Sequence, residues 1–328
     1  MSTTNEVILI TGAAGFIGSR LAKSLLSSKP SARIIGLDNL NDYYSPDLKR
    51  AHLVDLTPSL RFAFVEGDLR DAEFIRQLIE THQPTAIAHL AAMAAVRYSV
   101  KHPLIYGQVN VQGTMNLLDA ARNISPGGKK PRCVLASTGS VYGRDTPVPF
   151  VETAAADRPL APYPASKRAM ELMAHSFYHL FGLPTIILRF FNVYGPHGRP
   201  DMMPWQWTKQ ILAGEGLTLY GAGKLKRDWT YIDDIVAGFS AAIDQELGFE
   251  IMNLGCSNPV QNLEFVRVLE KLLKREAKII DTPTPSSEPL ITYADVNKAR
   301  TLLGYNPRVN VDEGLDHFVD WMRTAKHI

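Results

Sequence analysis

Tyr163 and Lys167 stand four residues apart in Tyr163-Pro-Ala-Ser-Lys167, and Thr138 closes the run Cys133 to Ser137 at the head of Thr138-Gly-Ser-Val-Tyr-Gly143. A tyrosine and a lysine at this spacing near a helix start share one face. A free phenol, with a pKa of about 10, is a poor base near neutrality, and lowering it by about 3 units takes roughly 4 kcal/mol of preferential phenolate stabilisation. A close ammonium and a helix N-terminus both have the sign to supply it. The chemistry that suits these side chains is removal of a proton from a hydroxyl, with Thr138 hydrogen-bonding that hydroxyl. Pro164 disfavours helical backbone at the residue before it, which predicts Tyr163 at the N-cap and Pro164 at the first helical position.

The elements that must position this set begin at the N-terminus. Val7 to Thr11 is an apolar run suited to a buried parallel strand, and Gly12, Gly15 and Gly18 follow, with Phe16 and Ile17 between the last two. Gly12 allows a tight turn, Gly15 lets backbone N–H groups approach a pyrophosphate, and Gly18 lets the next helix pack close to the sheet. The anion then sits on a helix N-terminus. A second apolar stretch, Arg33 to Leu37, ends on Asp38, about twenty residues on, where an acid binds the adenosine ribose hydroxyls. Its carboxylate repels a 2′-phosphate, so NAD is favoured over NADP. A positively charged nicotinamide ring adds a further cation to stabilise the Tyr163 phenolate.

The alternation continues through Arg61 to Glu66, a helix near Asp71 to Thr81, Thr85 to His89, a helix near Pro103 to Asn123, Cys133 to Ser137, a helix near Ala165 to Phe181, and Thr185 to Phe190. Strands alternating with helices predict an α/β fold, a doubly wound Rossmann parallel sheet that binds ligands beyond its carboxyl strand ends. From Asn192 the pattern becomes helical pieces joined by short strands and Pro/Gly-rich loops. This predicts a smaller C-terminal α/β substrate-binding cap over 192–328, after a dinucleotide-binding domain over 1–191, with 233–248 packing back on the sheet.

At 328 residues the chain can bury a large core, and its formal net charge of +2 comes without a basic stripe. Nucleic acid and anionic membrane are poor partners for such a surface. The chain carries no apolar stretch of spanning length and no basic leader, so a cytoplasmic enzyme is expected. Two distant cysteines, Cys133 and Cys256, indicate neither a disulfide framework nor a zinc site. The nine histidines show no metal-ligand spacing, and no metal is predicted.

Taken together, these motifs resemble the extended short-chain dehydrogenase/reductase family, and more narrowly its nucleotide-sugar 4-epimerases, over nearly the whole chain to Leu303-Gly-Tyr-Asn-Pro307. Asp38 to Tyr44, Ala95 to Ser99, Phe190 to Pro196, Arg199 to Met202 and Arg227 to Asp234 look most like UDP-glucuronate 4-epimerases. The resemblance implies Asp68 and Leu69 beside adenine, Asn39 with Asp38 at the ribose, Leu90, Ala91 and Ala92 along NAD, and a Thr138, Tyr163, Lys167 triad. It also implies that Lys167 binds the nicotinamide ribose. The implied partner is a UDP-sugar, contacted by Arg97, Arg199 and Arg227, whose guanidinium groups suit diphosphate or carboxylate oxygens, and by Tyr220 beside uracil. Gly139, Ser140 and Asn192 would face C6. Gly139 stands where serine is frequent and Asn192 where glucuronate epimerases carry threonine, matching galactose-type epimerases instead. Ser140 replaces the glutamate usual in the related dehydratases and decarboxylases. The implied activity is C4 epimerisation of UDP-glucuronate through a 4-keto sugar; the alternatives are a UDP-glucose or UDP-N-acetylhexosamine 4-epimerase, a nucleotide-sugar decarboxylase or dehydratase, and an NAD-sensing regulatory protein. A homodimer built from the helices near 103–123 and 165–181 is also implied.

Overall fold

The computed structural model describes residues 6–285 and 288–328. Its first half alternates as the apolar runs require: β1 (Val7–Thr11), α1 (Phe16–Ser28), β2 (Arg33–Asp38), α2 (Pro46–Leu53), β3 (Phe62–Glu66), α3 (Ala72–His82), β4 (Ala86–His89), α4 (Val96–Lys101), α5 (Pro103–Tyr106), a π-helical stretch Gly107–Gly113, α6 (Thr114–Arg122), β5 (Arg132–Thr138), α7 (Pro162–Phe181) and β6 (Thr185–Phe190). Then come β7 (Val193–Tyr194), α8 (Met203–Ala213), β8 (Gly216–Tyr220), β9 (Lys226–Asp228), β10 (Thr230–Tyr231), α9 (Ile232–Ile243), β11 (Phe249–Leu254), β12 (Pro259–Gln261), α10 (Asn262–Leu273), β13 (Lys278–Thr282), β14 (Ile291–Thr292), α11 (Asn297–Leu303) and α12 (Val311–Thr324).

Seven strands form one parallel sheet in the order β11-β6-β5-β4-β1-β2-β3. In the inner strands β1, β2, β4, β5 and β6 most side chains are buried on both faces, which is why these strands read as apolar runs rather than alternating. α3, α6 and α7 cover one face around Leu9, Ile35, Ile87, Leu135 and Ile187, while α1 and α9 cover the other around Ile8, Ile10, Ile34, Val134 and Leu188. The chain winds outward in both directions from β1, leaving a crevice between the carboxyl ends of β1 and β4. β11 pairs with β6 and α9 packs on α1, so residues 232–254 lie with the sheet.

The remaining elements form smaller units beside this sheet, with α11 packed against α9 and β11. β13 pairs with β8, and β12, β9 and β14 form a second small sheet. α8, α10 and α12 close around Trp207, Trp229 and Phe265, rings whose centroids lie 4.2–6.3 Å apart. The alternating Trp205 and Trp207 are both buried in this unit.

The entry to α7 differs from expectation. The helix starts at Pro162 with Ala161 as N-cap, so Tyr163 lies inside the first turn instead of capping it. The first four N–H groups of a helix have no intrahelical acceptor, so Pro162 and Pro164 both fit without a lost bond. The local bias against helix before a proline is overcome here by burial of the Tyr163 ring against Tyr106 and Met93.

Candidate functional site

A cavity of about 450 Å³ opens over the crevice between β1 and β4. Gly12 leaves β1 at φ +73°, and a Cβ there would sit 2.7 Å from the Ala91 nitrogen after β4. Gly15 is the N-cap of α1, and a Cβ on Gly18 would lie 2.1 Å from the Gly12 carbonyl oxygen. The three glycines therefore hold the strand, the turn and the helix within contact distance, with the α1 N-terminus facing the cavity.

Asp38 ends β2 beside this turn. Its carboxylate accepts the N–H of Ala14 at 3.1 Å and of Leu40 at 2.9 Å. Burial pushes its pKa up, while those hydrogen bonds and the Lys49 ammonium pull the other way. Asp68 accepts from Asn39 Nδ2 at 2.9 Å and from the Arg70 guanidinium, which holds its pKa down at about 2. Phe16, Ile17, Asn39, Leu69, Leu90, Ala91 and Ala92 line the same cavity, as do Gly12, Gly15, Gly18, Asp38, Asp68 and Lys167.

Tyr163 lines the far end with Lys167, Ser137, Phe190 and Arg199. Burial raises the phenol pKa, and its downward pulls come from the Thr138 hydroxyl and the Arg199 guanidinium. Lys167 stands one turn further along α7. Its ammonium donates to the Ala136 carbonyl at 2.8 Å, and burial lowers its pKa to about 8. The Thr138 hydroxyl accepts the Ser140 N–H at 3.2 Å in a tight turn after β5, which fixes its rotamer.

The substrate candidates divide. Arg199 lies against Tyr163 and makes a bidentate pair with Asp201 at 2.9 and 3.0 Å. Arg227 lies outside the cavity lining; it is buried, pairs with Glu288 at 2.8 Å and donates to the Pro289 carbonyl at 3.0 Å. Arg97 is exposed over the Tyr220 ring at 5.9 Å. Gly139 packs under Phe191, where a Cβ would meet the ring at 2.7 Å, a steric reason for glycine in place of serine. Ser140 is exposed, and the Asn192 carbonyl accepts the Thr230 N–H at 3.1 Å.

Sequence reasoning passed over Tyr43, Tyr44 and Lys49. All three line the cavity. Tyr43 donates to Asp201 at 3.1 Å, bridging the loop after Asp38 to the loop of Arg199. Lys49 donates to the Asn41 carbonyl at 2.6 Å and lies over the Tyr44 ring. The two tyrosines sit in the Asp38 to Tyr44 segment, so a signal existed for them; Lys49, a lysine in a short helix, carried none.

The chain resembles known proteins over nearly its full length. A UDP-glucuronate 4-epimerase 4 from Arabidopsis thaliana is 41% identical over 98% of this chain and 76% of that protein. The crystal structure of a UDP-glucuronic acid 4-epimerase from Bacillus cereus, in complex with UDP-glucuronic acid and NAD, superposes with a TM-score of 0.90 at 34% identity, covering 97% of this chain and 99% of that one. A dTDP-glucose 4,6-dehydratase from Streptomyces venezuelae, with NAD bound, reaches a TM-score of 0.89 at 31% identity over 98% of each chain. The model of the NAD dependent epimerase/dehydratase family matches residues 8–255, and the chain belongs to that family.

Proposed function

We propose that this protein interconverts UDP-glucuronate and UDP-galacturonate by NAD-dependent epimerisation at C4. The observation that carries the reading is the meeting, in one cavity, of a glycine turn suited to a dinucleotide pyrophosphate and a buried phenol with Thr138, Lys167 and Arg199 around it. The likeness to UDP-glucuronate 4-epimerases supports the sugar.

In this assignment Gly12, Gly15 and Gly18 hold the pyrophosphate with Phe16 and Ile17, Asp38 and Asn39 take the adenosine ribose, and Asp68 and Leu69 flank adenine. Leu90, Ala91 and Ala92 line the path to the nicotinamide ribose, which Lys167 binds. When bound, NAD supplies the electron sink that makes oxidation at C4 reversible. Tyr163 accepts the proton of the 4-hydroxyl, Thr138 holds that hydroxyl, and Tyr163 returns the proton after the 4-keto sugar has presented its other face. Arg199 lies where it neutralises an anionic group of the sugar, and Gly139, Ser140 and Asn192 border C6. Arg97, Tyr220 and Arg227 serve the UDP portion, Arg227 after exchange of Glu288 for diphosphate. The sheet with its helices serves NAD, and the smaller units beside it, after residue 191, serve the sugar.

Ser140 argues against elimination, because no glutamate stands there to move a second proton. Incubation with UDP-glucuronate, followed by NMR and mass spectrometry, will therefore give UDP-galacturonate of unchanged mass. A product lighter by carbon dioxide or water would replace this reading with a decarboxylase or dehydratase. Asn192 and Gly139 favour a second reading, a 4-epimerase of UDP-glucose or a UDP-N-acetylhexosamine, and turnover of those sugars alone would establish it.

A cytoplasmic homodimer completes the proposal. Among the described residues no helix is long and apolar enough to cross a membrane. Val100, Leu104, Leu172 and Leu180 on α4, α5 and α7 are 54–81% exposed, an apolar surface that a second copy would cover. Light scattering will report a dimer, and Leu104→Glu with Leu172→Glu will shift it to monomer; a wild-type monomer would remove this part.

A further inference from the structure

Behind the catalytic set lies a buried charged network that the reaction as described does not use. Ser137, Arg189 and Asn253 stand in one register row across β5, β6 and β11, the row just before the one that carries Thr138. A charge in the middle of a parallel sheet is tolerated only when paired and hydrogen-bonded. Arg189, 1% exposed, donates to both oxygens of Glu171 at 2.9 and 2.7 Å, and Glu171 is itself 1% exposed. The Ser137 hydroxyl donates to the same carboxylate at 2.6 Å. Arg168, its side chain 27% exposed, adds a contact at 3.0 Å. The far side of Arg189 is closed by the Tyr142 ring at 4.7 Å, and the Tyr142 hydroxyl donates to Asn253 at 2.7 Å.

Glu171 follows Lys167 by one turn of α7, and Lys167 donates to Ala136, the residue before Ser137. Helix and strand are thus cross-tied twice, once by the ammonium and once by the carboxylate.

We propose that Glu171 is a positioning residue for the reaction: clamped by Arg189, its carboxylate ties α7 to the end of β5 through Ser137 and supplies the countercharge for Lys167. The inference rests on the NAD-binding part of the function proposed above, and not on the identity of the sugar.

The charged and titratable surroundings of Lys167 make the effect directional. From β4, His89 is locked between Thr11 and Thr114 at 2.7 and 2.9 Å and is neutral, burial and the ammonium holding its pKa near 3. Tyr163 on α7 is an uncharged phenol until it acts, and Arg199 beside it is cationic. Arg168 and Arg189 are cations paired with Glu171 at 3.0 and 2.7 Å. The carboxylate facing Lys167 is Glu171, and it favours the ammonium against the burial that lowers it to about 8. With Glu171 neutral, Lys167 must lose its proton at lower pH.

The test is the pH dependence of NAD affinity, by calorimetry between pH 6 and 10, with that of kcat alongside. The wild type will lose affinity as pH rises through the Lys167 pKa, and in Glu171→Gln this loss will begin about one pH unit lower. Glu171→Gln strands the Arg189 charge, so Glu171→Gln/Arg189→Met, which replaces the pair with groups of similar volume, provides a variant that folds; it will shift in the same direction. Ser137→Ala keeps the carboxylate and will lower kcat with the pH limb unmoved. An unshifted limb in whichever Glu171 variant folds would overturn the proposal, leaving only structural support. Failure of the wild type to make UDP-galacturonate would count against the sugar assignment while leaving the NAD readout intact.

Discussion

Tyr163→Phe will lower kcat on UDP-glucuronate by about 10²–10⁴-fold, the range associated with a positioned base, with NAD affinity and melting temperature nearly unchanged. The substitution deletes one oxygen from a ring packed against Tyr106 and Met93, so the shape of the buried site is kept. What is lost is the hydroxyl proposed to take a proton from the 4-hydroxyl of the sugar. Burial raises the phenol pKa, and the pulls from Thr138 and Arg199 do not outweigh it in the protein alone. The phenolate fraction therefore grows as pH rises, giving wild-type kcat an acid limb that falls towards low pH. Bound NAD adds a positive ring and brings the limb towards neutrality. The phenylalanine variant will lack that limb, its residual rate being independent of this group. Undiminished turnover in Tyr163→Phe, read by NMR of the UDP-sugars, would remove the proton-transfer assignment of Tyr163.

The same buried phenol shows which parts of this site were legible in the sequence. The glycine turn and Asp38 are local: each conformation they require follows from residue type and spacing, and every residue assigned to NAD lines one cavity. The strands from β1 to β6 were equally plain, because a strand covered on both faces is a continuous apolar run. β11 was not, since Glu250 and Asn253 interrupt it. Asn253 is fully buried there, donating to the Phe150 and Asp295 carbonyls, and a buried polar residue has no sequence mark that separates it from an exposed one. The pairing of Arg227 with Glu288 spans sixty-one positions, and that of Tyr43 with Asp201 one hundred and fifty-eight. Contacts of that range are set by how the later elements settle beside the sheet. The acceptor of Lys167 was hidden for a related reason: helical spacing gives a shared face with Tyr163, but the Ala136 carbonyl comes from the adjacent strand.

Gly18→Ala will weaken NAD binding by roughly 5- to 150-fold and lower the melting temperature, although the change adds a single methyl group. Gly18 lies in the first turn of α1, and the added Cβ would stand 2.1 Å from the Gly12 carbonyl oxygen, 2.8 Å from its carbon and 3.1 Å from the Ala13 Cα. All three are backbone atoms, so no side chain can rotate away. The turn cannot retreat either: the Gly12 N–H donates to the Leu37 carbonyl at 2.7 Å, and Gly12 already touches Ala91 across the crevice. α1 must then move off β1, straining its bidentate Arg20–Asp233 pair with α9 and turning its N-terminal N–H groups away from the pyrophosphate. Overpacking of this kind costs about 1–3 kcal/mol, which converts to roughly 5- to 150-fold in affinity. Gly107→Ala is the matched control, because a Cβ there meets nothing within 4 Å in a helical stretch; alanine in that setting is neutral or stabilising by up to about 1 kcal/mol. Calorimetry with NAD and thermal melting of both variants will separate them, and equal NAD affinity in Gly18→Ala and wild type would show that the turn does not carry the pyrophosphate.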